Sequence, residues 1–332
     1  MMLQASLYNW KTWLSILLLL AATVGCAEDQ SERIFRVGFV AAQSPSTAPS
    51  GVGAFRDRLR ELGYVQGQNL VIESRWAGDR YDRLPELVNE VIARNVDVLL
   101  VAATPAAIAA TNATSEIPIV GLGLADPVRT GQASNLARPG ANLTGLSMGW
   151  SEDVAGKWLE LLRETVPHMS TVAVLANPDN PLTAELVRGL EVIAPAQGLE
   201  ILPIEVRGPT GLDQAFAMAG RDAQGVLVLP DPIMAAHRVR LAALAAKHHL
   251  PAMYYLRDFV EAGGLMAYGP ELSVMSRRAG DYIDKILKGA DASDLPIEQP
   301  REYLLVVNLN TANDLGLSVP ESVLVRAGEV MR

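Results

Sequence analysis

Cysteine is almost absent. Cys26 is the one thiol in 332 residues, so a disulfide within the chain is excluded and a cysteine-built zinc site lacks ligands. Aromatic residues make up only 5%, which leaves Ala, Val, Leu and Ile to build the core. No run of Lys and Arg occurs, and the formal charge is -9. Binding to phosphate backbones needs a basic face, so nucleic acid is excluded as a partner. An HExxH zinc motif, a nucleophile elbow and a phosphate loop are all missing from the sequence. The expectation is therefore no enzyme, no catalytic residue, no metal and no cofactor. Gly51-Val-Gly53 starts like a dinucleotide fingerprint, but Arg56 stands where the third glycine belongs, so it reads as a loop entering a helix. His168, His237, His248 and His249 read as surface or half-buried helix positions rather than ligands.

What is present is globular. Hydrophobic residues are 49% and charged residues 20%, and the length exceeds one ordinary core, so two domains are expected. Residues 1–25 read as a secretory signal, with Lys11 in the basic region and an apolar run from Leu14 to Val24 that is too short to span a bilayer. It ends in Ala21-Ala-Thr-Val-Gly-Cys26, which is similar to the lipobox of bacterial lipoproteins, although Thr23 stands where an aliphatic residue is usual. Either Cys26 is the acylated N-terminus, or the signal is of the ordinary kind. Residues 26–33 serve as a tether. The expected place of work is the periplasm or cell envelope.

From residue 34 the chain alternates strand and helix. Ile34 to Val40, Asn69 to Ser74, Val96 to Val101 and Ile117 to Val120 are near-continuous apolar runs, as strands covered on both faces should be. Between them Val52, Phe55, Leu59 and Leu62, then Leu84, Leu87, Val88, Val91 and Ile92, recur at helical spacing. The same order returns in Thr171–Leu175, Leu199–Glu205, Gly225–Leu229 and Pro251–Tyr255, with a helix over Ile233 to Lys247. The halves echo each other: Val96–Val101 then Pro105 answers Gly225–Leu229 then Pro232. The reading is α/β, with two Rossmann-like lobes joined by a multi-crossing hinge. Residues 34–145 form lobe 1 and 146–262 form lobe 2. Residues 263–332 form a return segment, with a long helix on lobe 1, a strand over Tyr303 to Asn308 and a helix from Pro320 to Arg332, the last two near the hinge.

The stretch between the lobes, Gly121 to Gly145, holds an Asp-Pro, an Arg-Pro-Gly and a Thr-Gly, which punctuate backbone. It is expected to combine hinge and ligand contact, with Ala141 to Gly145 as the first crossing strand. Ligands in such sheets sit beyond the carboxyl ends of strands, which nominates Gln43, Ser44, Thr104, Pro105 and Asp126. Helix starts near Ser44 and Thr104 offer N–H groups to a carboxylate. Thr144 in the hinge and Asn177 at a strand end join the candidates. Asp126 and Asp231 either receive an ammonium group or cap turns and helices. Tyr255 and Tyr268 either line an apolar slot or pack in a lobe core.

The segments Leu62-Gly-Tyr-Val-Gln-Gly-Gln-Asn-Leu-Val-Ile-Glu73, Thr104-Pro-Ala-Ala107, Ala125-Asp-Pro-Val128 and Leu136-Ala-Arg-Pro-Gly-Ala-Asn-Leu-Thr-Gly145 carry a resemblance over essentially the whole mature chain. It resembles the bacterial ABC-transporter substrate-binding proteins of the tryptophan- and tyrosine-linked type. The resemblance implies a type I periplasmic-binding-protein fold. It also implies capture of a small solute, an amino acid or related carboxylate, by lobe closure, and delivery to an ABC permease and its ATPase. A ligand-sensing module for a separate receptor or kinase is the alternative, and a periplasmic enzyme a further one.

Overall fold

A computed structural model describes residues 33–332. The signal segment 1–25, Cys26 and the tether up to residue 32 lie outside the described residues, and no helix among the described residues is long and apolar enough to cross a membrane.

The first lobe runs β1 (Phe35–Ala41), α1 (Ala54–Glu61), β2 (Leu70–Trp76), α2 (Leu84–Ile92), β3 (Val98–Ala102), α3 (Thr104–Ala113), β4 (Ile119–Leu124) and β5 (Leu143–Ser147). These strands pair in parallel in the order β2-β1-β3-β4-β5. β3 and β5 are buried along their whole length, because helices cover both faces of the sheet. That is why their sequences read as unbroken apolar runs.

The second lobe runs α4 (Glu152–Thr165), β6 (Thr171–Ala176), α5 (Thr183–Ile193), β7 (Glu200–Glu205), α6 (Leu212–Asp222), β8 (Gly225–Val228), α7 (Pro232–Ala236), α8 (Arg238–Lys247), β9 (Ala252–Tyr254), α9 (Arg257–Glu261) and β10 (Met266–Gly269). The order β7-β6-β8-β9-β10 repeats that of the first lobe strand for strand, which is the architectural form of the sequence echo. Ser151 caps α4 through the Val154 N–H. Asp231 caps α7, accepting from Ile233 and Met234. The helix expected over Ile233 to Lys247 is broken at His237, which ends α7 and precedes α8.

The chain then returns. α10 (Leu272–Leu287) lies on α1 of the first lobe. There the Ser276 hydroxyl donates to the Val52 carbonyl at 2.7 Å and accepts the Phe55 N–H at 3.0 Å. β11 (Ile297–Glu298) adds to the edge of the first sheet beside β5. β12 (Leu304–Asn308) pairs antiparallel with β10, and β13 (Glu329–Met331) lies parallel to β12. The second sheet thus runs past residue 262 to take in β10, β12 and β13, where the sequence reading ends that lobe at 262. The helix expected from Pro320 to Arg332 covers only Glu321–Leu324, and the chain ends in β13. Only three residues form that strand, too few for any period to show.

The chain passes between sheets after β5, after β10 and after β11. Three connections favour rotation of the lobes about the hinge over independent motion.

Candidate functional site

The carboxyl ends of the parallel strands of both sheets face one cleft. Its walls are mostly apolar: Pro49, Val52, Leu122, Met148, Trp150, Leu182, Leu256 and Leu272 line it together with Pro230 and Pro232. The space between the lining atoms totals about 610 Å³, including the part open to solvent, which is within the range of small-molecule sites.

From the first lobe comes an unusual helix start. Ala103 has φ 70, a conformation that costs a non-glycine residue free energy and is kept where the surroundings enforce it. Its N–H is held by the Leu122 carbonyl at 2.8 Å. The backbone then enters α3 at Thr104-Pro105, and Ala102 to Pro105 all line the cleft. No side chain caps α3. The Thr104 hydroxyl is used elsewhere, accepting the Ala125 N–H at 2.9 Å and tying the end of β3 to the end of β4. Pro105 has no N–H and the Ala107 N–H donates to the Ala103 carbonyl at 3.1 Å, which leaves the N–H groups of Thr104 and Ala106 in the first turn of α3 for an anionic group.

From the second lobe comes Asp231, buried at 3% exposure. Its Oδ1 accepts the N–H groups of Ile233 and Met234. Its Oδ2 accepts from the side-chain amides of Asn177 and Asn180, each at 3.1 Å. Burial raises the Asp231 carboxyl above its usual range, and the surrounding donors oppose that rise. The Tyr255 hydroxyl donates to the Asp231 carbonyl at 2.6 Å and accepts its N–H at 3.2 Å. Burial, with the negative charge of Asp231 beside it, pushes that phenol well above the ordinary value, so it stays protonated.

The lobes are closed on each other. Tyr81 of the first lobe donates its hydroxyl to Asp231 Oδ2 at 2.7 Å. Arg238 donates to the Thr47 carbonyl at 2.8 Å, and Asp258 accepts the Ser50 N–H at 2.6 Å. Arg129 pairs with Glu185.

Of the residues nominated from sequence, Gln43, Thr104, Pro105, Asp231 and Tyr255 line the cleft. Ser44, Asp126, Thr144, Asn177 and Tyr268 are not among the lining residues. The Ser44 carbonyl closes a local turn with Thr47 and Ala48. The Asp126 carboxylate caps its own turn, accepting the N–H groups of Val128 and Arg129 at 3.1 Å. Thr144 is buried and donates to the Leu295 carbonyl at 2.8 Å, within the hinge. Asn177 stands behind Asp231. Tyr268 stacks on Tyr303 with ring centroids 5.4 Å apart, and Tyr303 in turn donates to the Met148 carbonyl at 2.9 Å. That pair braces the crossing segment from behind.

Sequence reasoning passed over Trp150, Asn180 and Tyr81. Trp150 sits edge-on to Tyr255 at 6.0 Å and 5.4 Å from Trp158. Its signal was available: a tryptophan just after the first crossing strand, in a chain poor in aromatics. Asn180 follows the nominated Asn177 by three residues, across a turn in which the Asn180 N–H donates to the Asn177 carbonyl at 3.1 Å. Tyr81 reaches the site only because the lobes meet, which no local pattern encodes. Among the described residues no group of three or more His, Cys, Asp or Glu is placed to hold a metal ion.

Residues 39–331 match the family model described as ABC transporter substrate binding protein. The tyrosine-binding protein of Clostridioides difficile (strain R20291) is 24% identical over 263 residues, covering 79% of this chain and 75% of that protein. A conserved domain protein from Vibrio cholerae superposes with a TM-score of 0.83 at 25% identity, covering 90% of this chain and all of that one (100%). An ABC domain from Streptococcus pneumoniae, solved in complex with L-Trp, superposes with a TM-score of 0.82 at 23% identity and the same coverage, 90% and 100%.

Proposed function

The chain belongs to the ABC transporter substrate-binding protein family, and from that premise we propose that it captures an amino acid or related carboxylate by lobe closure and delivers it to a permease. Its fold is the type I periplasmic-binding-protein fold, as the motif resemblance implies. The observation that carries the reading is one cleft with apolar walls and, on its first-lobe side, the uncapped start of α3. A carboxylate placed there meets free N–H groups and the positive end of the helix dipole. Trp150, Val52 and Leu122 then enclose the apolar body of the solute. The relatives named above, one a tyrosine-binding protein and one solved with L-Trp, support a solute of this size and class.

Closure is favoured when the solute bridges groups that meet only in the closed state. A permease with its ATPase would then read the closed form. The protein works outside the cytoplasmic membrane, and acylation of Cys26 would tether it there.

A thermal-shift screen of amino acids and small carboxylates tests the reading. A ligand present at about 100 times its Kd should stabilise the chain by about 2.7 kcal/mol, visible as a rise in the unfolding midpoint. Turnover of a screened compound, with no compound raising the midpoint, would replace the transport receptor with an enzyme.

A further inference from the structure

In the lining of the cleft, the side chains that carry an oxygen atom are Gln43, Thr104, Asn180, Asp231 and Tyr255. All but Gln43 are committed inside the protein. Asp231 accepts from Ile233, Met234, Asn177 and Asn180, and a carboxylate offers about four lone-pair positions. The Asn180 oxygen accepts the Leu182 N–H at 3.2 Å. The Thr104 hydroxyl accepts the Ala125 N–H, and the Tyr255 hydroxyl both donates to and accepts from the Asp231 backbone. Gln43 is buried, at 7% exposure, yet its side-chain amide makes no hydrogen bond to any described residue. Its backbone is held, with the carbonyl accepting the Gly78 N–H at 3.2 Å, so the unused groups are those of the amide. A buried amide without a partner in the protein is costly unless something else satisfies it.

Gln43 also stands beside the start of α3. β1 and β3 are neighbouring strands, with Ala41 paired to Ala102. Gln43 lies two residues beyond Ala41 and Thr104 two residues beyond Ala102, and both line the cleft. Paired strands run about 4.8 Å apart. A solute whose carboxylate meets the N–H groups of Thr104 and Ala106 therefore carries the substituents of its α-carbon within reach of the Gln43 amide.

We propose that Gln43 is the specificity residue for the α-ammonium group, its Oε1 accepting from the ammonium while the N–H groups of Thr104 and Ala106 hold the carboxylate. The proposal rests on the reading of the cleft as a carboxylate site and selects the zwitterionic α-amino acids within that class. A neutral acceptor is enough, because the solute's own carboxylate balances the ammonium from the neighbouring carbon and no unpaired charge is buried. A deaminated carboxylate leaves the amide oxygen unpaired in the closed cleft. A site built to bond a group rejects the analogue that lacks it for this reason.

Titration calorimetry at neutral pH on the whole chain tests this with matched pairs: tryptophan against indole-3-propionate, phenylalanine against 3-phenylpropionate, and leucine against 4-methylpentanoate. The expected result is that the amino acid of the best pair binds at least about tenfold more tightly than its deaminated partner. A deaminated carboxylate that binds as tightly as its amino acid, or more so, overturns the proposal and leaves the parent reading standing. Failure of every compound to bind overturns both. Q43M keeps the length of the side chain and removes the oxygen acceptor, and its folding is checked by its unfolding midpoint. In Q43M the ratio within the best pair should fall by at least about fivefold, through weaker binding of the amino acid. An unchanged ratio in a folded Q43M overturns the role of Gln43. Q43E keeps an oxygen acceptor at the same place and should hold the ratio at or above the wild-type value. A ratio that falls in Q43E as it does in Q43M would mean that shape rather than the acceptor selects, and overturns the proposal as well.

Discussion

A β-carbon on Gly145 would lie 2.2 Å from the carbonyl oxygen of Gly121 on the neighbouring strand. Gly145 also has φ +129, a conformation that side chains other than glycine's rarely allow. The Leu-Thr-Gly motif of the hinge stretch therefore has a physical meaning. Its glycine lets β5 approach β4 in the strand from which the chain leaves for the second lobe. G145A should cost more than about 3 kcal/mol of stability or prevent folding altogether. Urea unfolding of G145A beside wild type measures this, and a loss under about 1 kcal/mol would mean that the strands separate easily.

The threonine of the same motif has a hinge role. Thr144 donates to the carbonyls of Leu295 and Pro296, at 2.8 and 3.2 Å, and so clamps β5 to the segment that returns from the second lobe into β11. The Pro296 carbonyl also accepts from Tyr282 at 2.6 Å, but Leu295 depends on Thr144. T144V keeps the shape and removes the donor. It should lower stability by about 1–3 kcal/mol and leave the affinity of whichever solute binds within about threefold of wild type. A large loss of affinity at unchanged stability would instead put Thr144 in contact with the solute.

Asp126 separates the two readings of its Asp-Pro in the same way. Its Oδ1 accepts two backbone N–H groups of its own turn, a role that asparagine fills as well as aspartate. D126A should cost about 0.5–2 kcal/mol, and D126N should recover most of it. Solute affinity should stay near wild type in both. If D126N folds as wild type but binds at least about tenfold more weakly, the charge of Asp126 acts on the solute after all.

The fold was legible because its strands are buried on both faces. Thr171–Ala176 and Val98–Ala102 are apolar without alternation, and only a covered parallel sheet accepts such runs. β13 escaped notice because three half-buried residues carry no period. The break at His237 escaped because Ile233 to Lys247 is rich in alanine and leucine and holds no glycine or proline to stop a helix. In the site, strand ends were readable and side-chain partners were not. Thr104-Pro105 announces a helix start that the topology turns toward the cleft. Whether Asp231 caps a helix or awaits an ammonium depends on Asn177, Asn180 and Tyr81, and Tyr81 arrives from another lobe.

Asp79 of the first lobe and His237 of the second face each other, with Oδ2 and Nε2 3.3 Å apart. The other carboxylate oxygen, Oδ1, is buried without a hydrogen-bond partner. Burial therefore raises the Asp79 carboxyl above its ordinary 3.8, and His237 offsets this in part. A carboxyl whose pKa is raised by folding favours the folded state in its protonated form. That contribution is complete below 3.8 and is lost as pH rises through the raised value. D79N stays neutral at every pH and keeps the contribution. The difference in unfolding midpoint between D79N and wild type should thus be near zero in strong acid and grow in favour of D79N, by a few degrees, as pH rises toward neutrality. Taking the difference cancels the opposite trend from carboxylates such as Glu298, whose pKa is lowered by Arg278. A difference that turns against D79N with rising pH would show that the ion pair with His237 outweighs the burial of the charge.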